Sequence, residues 1–427
     1  MKQILFLSLF LIICCKKEPI LSVYDSGTLP KLEVNIDEKY LWSADSGLYV
    51  IGSNGIALES CGNIIANYNQ KWEYKAKIQY KENDIILFDD YVGLRIKGNC
   101  SRANSMKSFG LYWKQKYGSS YLDYPIFQNN PANSYKRLFV RNSGNDFGRT
   151  QIKDISVASI IKNHINFEFQ DYKQCVVYLN DNYWGIYNIR EMLTRHHFEN
   201  HFGFPKENID LLEGSELNPE ADDGTIDGYM NGVVDFLENN SLENEDNYEH
   251  ISSIIDINSY IDFIIVNTYI GNRDWPNNNV KWWKDRTNSM SKWRWVLFDT
   301  DASFQLSRVE EVWIGDLIGD GSRWGDYQNT DGSFYIFNKL IQNSLFKEKF
   351  LNRYLYIIEH VFDKHRVQSL ILKNKNNISL EYNNFQTKWG LRSKSMWENQ
   401  VSKMIEFNNQ RHDIMKKIIN KLLNEES

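Results

Sequence analysis

Proline is scarce, with 7 in 427 residues, so the chain holds no Pro-rich stalk or stiff extended linker. Cysteine is scarcer still, with 5. Two of them adjoin at Cys14-Cys15. The other three, Cys61, Cys100 and Cys175, are too few and too widely spaced for a disulfide framework or a zinc motif. One bridge is compatible with them, but the reading favoured by the spacing is three buried or half-buried thiols. Positive charge is not in excess: 49 Lys+Arg stand against 55 Asp+Glu, a formal net charge of -6. That excludes the basic balance of a non-specific nucleic-acid binder, and no nucleic-acid partner is expected. No internal apolar run approaches the ~20 residues that span a bilayer. The most apolar stretch, around Ile261 to Ile270, is short and contains Asp262 and Asn267. Repeats at solenoid periods are absent.

What is present is a globular composition, 42% hydrophobic and 24% charged, with an aromatic share of 14%. At roughly 150 residues per domain, the length predicts two or three domains, or one large domain with additions.

The N-terminus has the layout of a secretory signal peptide: Met1-Lys2-Gln3, an apolar run from Ile4 to Ile13, then Cys14-Cys15-Lys16-Lys17. A cysteine at the cleavage position is similar to a bacterial lipobox, in which the thiol is diacylated. Cys15 fits better than Cys14, because the small Cys14 then precedes the cut; Ile12 and Ile13 depart from the usual small residues. The chain is therefore expected in the bacterial cell envelope, outside the cytoplasm, held to a membrane by lipid whose buried CH₂ groups contribute ~0.8 kcal/mol each.

Residues 1–15 read as signal peptide and 16–30 as tether. A β-rich lead-in follows over 31–85, with alternation at Leu32–Ile36, Leu48–Ile51 and Trp72–Tyr80. The main domain is expected over 86–425. It opens with strands at Val92–Gly98 and Lys107–Trp113, followed by a helix over Asp154–Asn163. Strands at Cys175–Leu179 and Trp184–Ile189 come next, then a helix over Glu191–Phe202. Asn208 to Asn247 reads as a polar excursion. Helices dominate from Tyr248, apart from an irregular stretch at Gly271–Asn279 and a strand at Trp293–Phe298. Leu345 to Leu423 carries helical spacing.

Four segments carry candidate chemistry. In Arg95-Ile96-Lys97-Gly98-Asn99-Cys100-Ser101-Arg102, followed by Lys107, a strand leads into a small polar loop and then a lysine. The Gly98 and Asn99 backbone can approach phosphates, with charge from Arg102 and Lys107. A plain hairpin explains the same loop. The segment Asn272-Arg273-Asp274, four residues, then Asn279 reproduces the protein-kinase spacing H-R-D-x-x-x-x-N, with Asn for His. An Asn/Pro-rich turn after a helix is the bland alternative. Trp293 to Leu297 is an apolar strand leading to Asp299 and Asp301. Side chains two apart on extended backbone share a face, which suits one divalent cation. Glu191, at the expected start of a helix, stands where kinases place the partner of their lysine; a helix-dipole contact is equally ordinary there.

Taken with Tyr117-Gly118, Leu122–Phe127 and Leu138–Asp146, these stretches resemble the CotH kinase family, atypical protein kinases that are secreted or spore-associated. The resemblance runs over roughly residues 30 to 310 and weakens after Glu310. It implies an α+β, protein-kinase-like fold with a β-rich N-terminal part and a helical C-terminal part. It also implies transfer of the ATP γ-phosphoryl group to Ser of a partner protein, with Mg²⁺ (or Mn²⁺). On the matching positions, Asp274 is the catalytic acid/base residue. Asn279, Asp299 and Asp301 are metal ligands, with Asp301 the essential one. Lys107 touches the nucleotide phosphates with Glu191 as its partner, and Gly98, Asn99, Ser101 and Arg102 form the nucleotide loop. The family's paired basic residues are Met106-Lys107 here. Two other classes stay open: a non-catalytic surface binding or adhesion module on the same fold, and a carboxylate-based hydrolase.

The leader has a direct check. Mass spectrometry of the native protein is expected to show a diacylglyceryl group on Cys15 (or Cys14) as the first residue. An unmodified N-terminus further downstream would refute the lipid anchor.

Overall fold

The computed structural model describes residues 29–276, 278–312 and 334–426. Cys14, Cys15 and the expected signal peptide lie outside the described residues, as does all of the tether but its last two positions.

Seven strands close into a barrel. They are β1 (Lys31–Asn35), β2 (Tyr74–Glu82), β3 (Ile85–Lys97), β4 (Ser108–Tyr112), β7 (Arg137–Arg141), β9 (Tyr172–Leu179) and β10 (Asn182–Glu191), in the order β1-β2-β3-β4-β7-β10-β9. The two-residue strands β5 (Leu122–Asp123) and β6 (Ser134–Tyr135) pair beside it. Alternation drives the closure: Ala76, Ile78 and Tyr80 of β2 point inward and meet Leu32 and Val34 of β1. β1 then joins β9 in parallel, with Leu32 opposite Val177. The lead-in strands are thus staves of the same barrel as β3, whose first residue is Ile85.

Two sequence expectations change here. Leu48–Ile51 forms no strand: Leu48 and Tyr49 N–H donate to the Tyr40 and Leu41 carbonyls, folding the segment back on a short helical turn at Lys39–Trp42. Cys61 and Cys100 form a disulfide, and Cys175 alone is a buried thiol. Contact across 39 positions was invisible to spacing, because the barrel's return path brings the two together.

A second sheet has the order β12-β11-β13-β14-β8, built from β8 (Glu168–Phe169), β11 (Ile209–Gly214), β12 (Pro219–Asp223), β13 (Lys281–Asp285) and β14 (Arg294–Leu297). The expected excursion at Asn208–Asn247 therefore contains two strands. It reads as polar because β12 is the edge strand and mostly exposed.

The longer helices are α1 (Lys153–Ile161), α2 (Arg195–Phe202), α3 (Glu245–Ile254), α4 (Ile257–Ile270), α5 (Ser344–Tyr356), α6 (Lys364–Ser379), α7 (Tyr382–Trp389) and α8 (Lys394–Glu426). Glu191 is the last residue of β10, paired with Leu138, and not the first residue of a helix; α2 begins only after Thr194. The fold is α+β, with the helices concentrated in the C-terminal part.

α4 is the spine of the second half. Asp256 caps it by accepting from Ser259 N–H, and all but one of its residues, Asn258, are buried. Gly271 ends it in the left-handed conformation, φ 60°. Its last carbonyls are satisfied from α8: buried Arg411 donates to Thr268 and Tyr269 O, and also to Val309 and Glu311 O. That anchor sets where the following loop, Asn272–Asn279, leaves the helix. No described helix is long and apolar enough to cross a membrane.

The disulfide closes a loop that a chain-entropy estimate values at about 3–4 kcal/mol. Reduction, or Cys100→Ser, is expected to lower the denaturant midpoint accordingly. An unchanged midpoint with and without reductant would show that the bridge contributes nothing to stability.

Candidate active site

β7 ends at Arg141, and the chain turns through Asn142-Ser143-Gly144-Asn145-Asp146 into α1. Asp146, fully buried, organises the turn: its carboxylate accepts from Thr150 N–H and from Ile152 and Lys153 N–H at the start of α1. Gly144 has φ +56°, and a Cβ there would lie 2.1 Å from Asp301 Oδ2, so only glycine allows the approach. The turn presses its polar groups against the residues that follow β14. Asn145 N–H donates to Asp301 Oδ2 (3.0 Å), while its Nδ2 donates to Asp301 Oδ1 (3.1 Å) and to Asp274 Oδ2 (3.0 Å). Arg141 Nη2 bridges Asp299 Oδ1 and Asp301 Oδ2, the latter at 2.5 Å. Asp154 of α1 accepts from Thr300 N–H and Oγ1 and pairs with Arg190. Asn279 (φ 61°) donates Nδ2 to the Asp299 carbonyl at 3.4 Å, leaving its amide oxygen as the atom able to ligate. Asp274, Asn279, Asp299 and Asp301 thus meet in one place, from the ends of α4 and β14.

Carboxylate charge is crowded there. Burial pushes Asp301 well above the usual carboxylate range, and neighbouring Asp299 and Asp154 push it further, against Arg141. Asp274 is raised by burial and by Asp299. Burial alone would lower Arg141, but Asp299, Asp301 and Asp154 hold it charged. Two carboxylates and an amide oxygen are hard donors, and the uncompensated negative charge fits a hard divalent cation such as Mg²⁺ or Mn²⁺. Arg141 Nη2 stands between Asp299 and Asp301. Asp274 joins them through Asn145 and not as a third close ligand.

On the barrel side, the last residue of β3 is Lys97, which is half-buried. It pairs with Ser108, whose hydroxyl donates to Asn142 Oδ1 beside Arg141. Its side chain lies over Gly110, where a Cβ would meet Lys97 Cγ at 2.9 Å. Among the described residues no carboxylate reaches ion-pair distance. Desolvation lowers its pKa, and the charges of Arg102, Lys281 and Arg95 lower it further, against Asp222. Lys281 in turn lies 5.6 Å from the ring of Phe298, next to Asp299.

A family model described as CotH kinase protein matches residues 94–415. The chain belongs to the CotH kinase family. No curated protein matches it. The CotH match starts in β3 and ends in α8, so it takes in the helices after Glu310, where the sequence resemblance weakens.

The CotH motif positions divide in the structure. The carboxylates and Asn279 come together as described, but Lys107 and Glu191 do not join them or each other. Lys107 lies on the Phe109 side of β4. Its ammonium donates to the Arg102 and Asn104 carbonyls (2.6 and 3.1 Å) and sits 4.0 Å from the Tyr68 ring. Burial lowers it to about 8. Lys107 therefore holds the loop from within. Arg102 also braces that loop, donating to Gly98 O and Asn69 O. Gly98 has φ +107°, Asn99 precedes the short helical turn Cys100–Ala103 that contains Ser101, and the disulfide pins its edge. Glu191 binds His201 Nε2 at 2.6 Å instead of a lysine. Burial opposes its charge, but His197 and His201 hold it well below the usual range. Lys97, Arg141 and Asn145 were missed as site residues. The signal for Lys97 was the strand period: it follows Ile96, which is core, so it projects from the other face of β3.

The carboxylate crowding has a pH signature. A raised folded-state pKa means that the fold favours protonated Asp301. That stabilisation is full below the unfolded value of about 4 and is lost as pH rises through the folded value. In chelator, Asp301→Asn is therefore expected to gain Tm relative to wild type as pH rises from about 4 to about 7. A Tm difference independent of pH would refute the crowding.

Proposed function

We propose that this CotH protein is a lipid-anchored protein kinase acting outside the cytoplasm, which transfers the ATP γ-phosphoryl group to Ser of a partner protein. The observation that carries the reading is the meeting of Asp274, Asn279, Asp299 and Asp301 around Arg141 and Asn145. Lys97, half-buried at the end of β3 and without a carboxylate at ion-pair distance among the described residues, pairs with Ser108, whose hydroxyl reaches the Asn142 turn. Family membership supports the phosphotransfer class. The Cys61–Cys100 bridge suits an oxidising compartment.

In this reading Lys97 draws the triphosphate towards the carboxylate cluster, while Lys281 stays paired with Glu213 and Asp222. The Ser hydroxyl attacks the γ-phosphorus, the Ser O–P bond forms, the bond to the β-phosphate oxygen breaks, and ADP leaves. Asp274 takes the hydroxyl proton. Its raised pKa makes it a better acceptor than a free carboxylate, and Asn145 fixes its orientation. Asp299, Asp301 and Asn279 would hold Mg²⁺ or Mn²⁺, which supplies charge neutralisation at the phosphate oxygens. Positioning and charge stabilisation are nearly all that phosphoryl transfer asks of the protein.

Labelled ATP with casein as the probe acceptor tests this. Asp301→Asn is expected to abolish transfer, and Asp299→Asn to leave measurable activity, roughly 10–100-fold down. Lys97→Met is expected to weaken nucleotide binding and transfer together. Lys107→Met is expected to cost folding stability while the folded fraction stays active. Wild-type protein that is folded, yet neither binds ATP nor transfers phosphate with either ion, would replace the kinase by a binding module.

A further inference from the structure

A second constellation lies away from the carboxylate cluster, where β10 ends and α2 begins. His197 and His201 are one helical turn apart on α2, so both imidazoles project from the same face. That face meets Glu191. Glu191 Oε1 lies 2.6 Å from His201 Nε2 and 3.5 Å from His197 Nδ1, and the two rings stack at 4.0 Å. One donor atom from each of the three residues falls within 4.8 Å of the others. The site is interior: Glu191 is 3% exposed and His197 5%.

Three further observations point to a ligand. Both ring nitrogens of His197 are buried and make no hydrogen bond. Beside it is a cavity of about 10 Å³, lined by Glu191, His197, Thr194 and Tyr135, with room for one water-sized species. Glu191 is also oriented from behind: its Oε2 accepts from Asp171 N–H (3.1 Å) and Asn130 Nδ2 (3.2 Å), which turns Oε1 to the histidines. Metal-ligating carboxylates are usually supported in this way.

We propose that Glu191, His197 and His201 form a Zn²⁺ site that ties the end of β10 to α2. Two imidazoles and one carboxylate, with Glu191 and His197 buried and His201 half-buried, suit zinc's borderline softness and tetrahedral preference, and the small cavity beside Glu191 and His197 leaves room for a fourth ligand. Mg²⁺ demands octahedral oxygen ligation, which two imidazoles do not offer. The ion would also bear on Lys97. Met192, next to Glu191, closes on the Gly110 position beside Lys97, with Cε 3.0 Å from where a Cβ would stand.

The test uses the full chain, stripped with chelator and titrated with ZnCl₂, with MgCl₂ and MnCl₂ as separate arms. About one zinc per chain is expected in wild type and in Asp301→Asn, which alters only the other cluster. His201→Gln keeps a donor to Glu191 and is expected, like His197→Ala, to lower zinc affinity by at least ~10-fold. Co²⁺ substitution of wild type is expected to give the absorption bands of a tetrahedral ion, a readout independent of whether the variants fold. Wild type that takes up no zinc, His201→Gln that binds it equally well, or a cobalt spectrum that is octahedral would each overturn the site, leaving a Glu–His hydrogen-bond cluster. Loss of zinc in Asp301→Asn alone would move the ion to the carboxylate cluster and overturn it as well.

Discussion

The Arg141 guanidinium lies between Asp299 and Asp301 and 3.6 Å from Asp154. It comes from the last residue of a barrel strand, whereas two of its partners follow β14 in the other sheet and the third opens α1. One side chain therefore joins the two halves of the molecule at the place where the carboxylates are concentrated. An unpaired carboxylate in that interior would be strongly destabilising, and breaking a buried pair typically costs about 3–5 kcal/mol. The arrangement holds only because Arg141 offsets part of the charge. It does not offset all of it, since Asp301 and Asp274 stay raised above the ordinary range. A core built for stability alone would pair these charges fully, and the residual imbalance is what a cation and a nucleotide would use.

The backbone around Arg141 follows from the same constraint. Ser143, Gly144, Asn279 and Asp299 all have positive φ. Such residues collect where a chain must bend sharply to deliver a polar group, and they persist only when their surroundings hold them. Here Asp146 holds the 142–152 turn, and Arg411 holds the end of α4 from which Asp274 departs. Neither residue touches the cluster. Both supply hydrogen bonds to backbone that would otherwise be buried unsatisfied, and so fix where the functional side chains begin.

The first strands of the barrel were legible because Leu32–Ile36 and Trp72–Tyr80 alternate strictly, and the acidic ends of α4 and β14 were legible because kinase spacing is a local property. Contacts closed by topology were not legible. Cys61 and Cys100 meet only through the barrel, and the histidines next to Glu191 become neighbours only because α2 folds back on β10. β12 falls in the stretch that reads as a polar excursion, because an exposed edge strand carries no hydrophobic period.

The two lysines of the β3–β4 hairpin mark where motif reading gives way to geometry. Both are near a glycine loop, and a motif cannot say which one faces the phosphate side. Strand periodicity can. Phe109 is buried in the barrel core with Tyr49 and Tyr187, so Lys107, two residues earlier, is drawn to the same side and finds Tyr68 and two carbonyls. Lys97 pairs with Ser108 on the opposite face, the face whose hydroxyl reaches Asn142 and, through it, the Arg141 turn. An ammonium engaged by carbonyls and an aromatic ring gains nothing from moving to a phosphate. One that is desolvated, with Arg102 and Arg95 near it and no carboxylate at ion-pair distance among the described residues, gains more from an arriving polyanion. By that electrostatic criterion Lys97, and not Lys107, is the lysine suited to a phosphate, and the small residue at Gly110 is what leaves it room to lie along the strand.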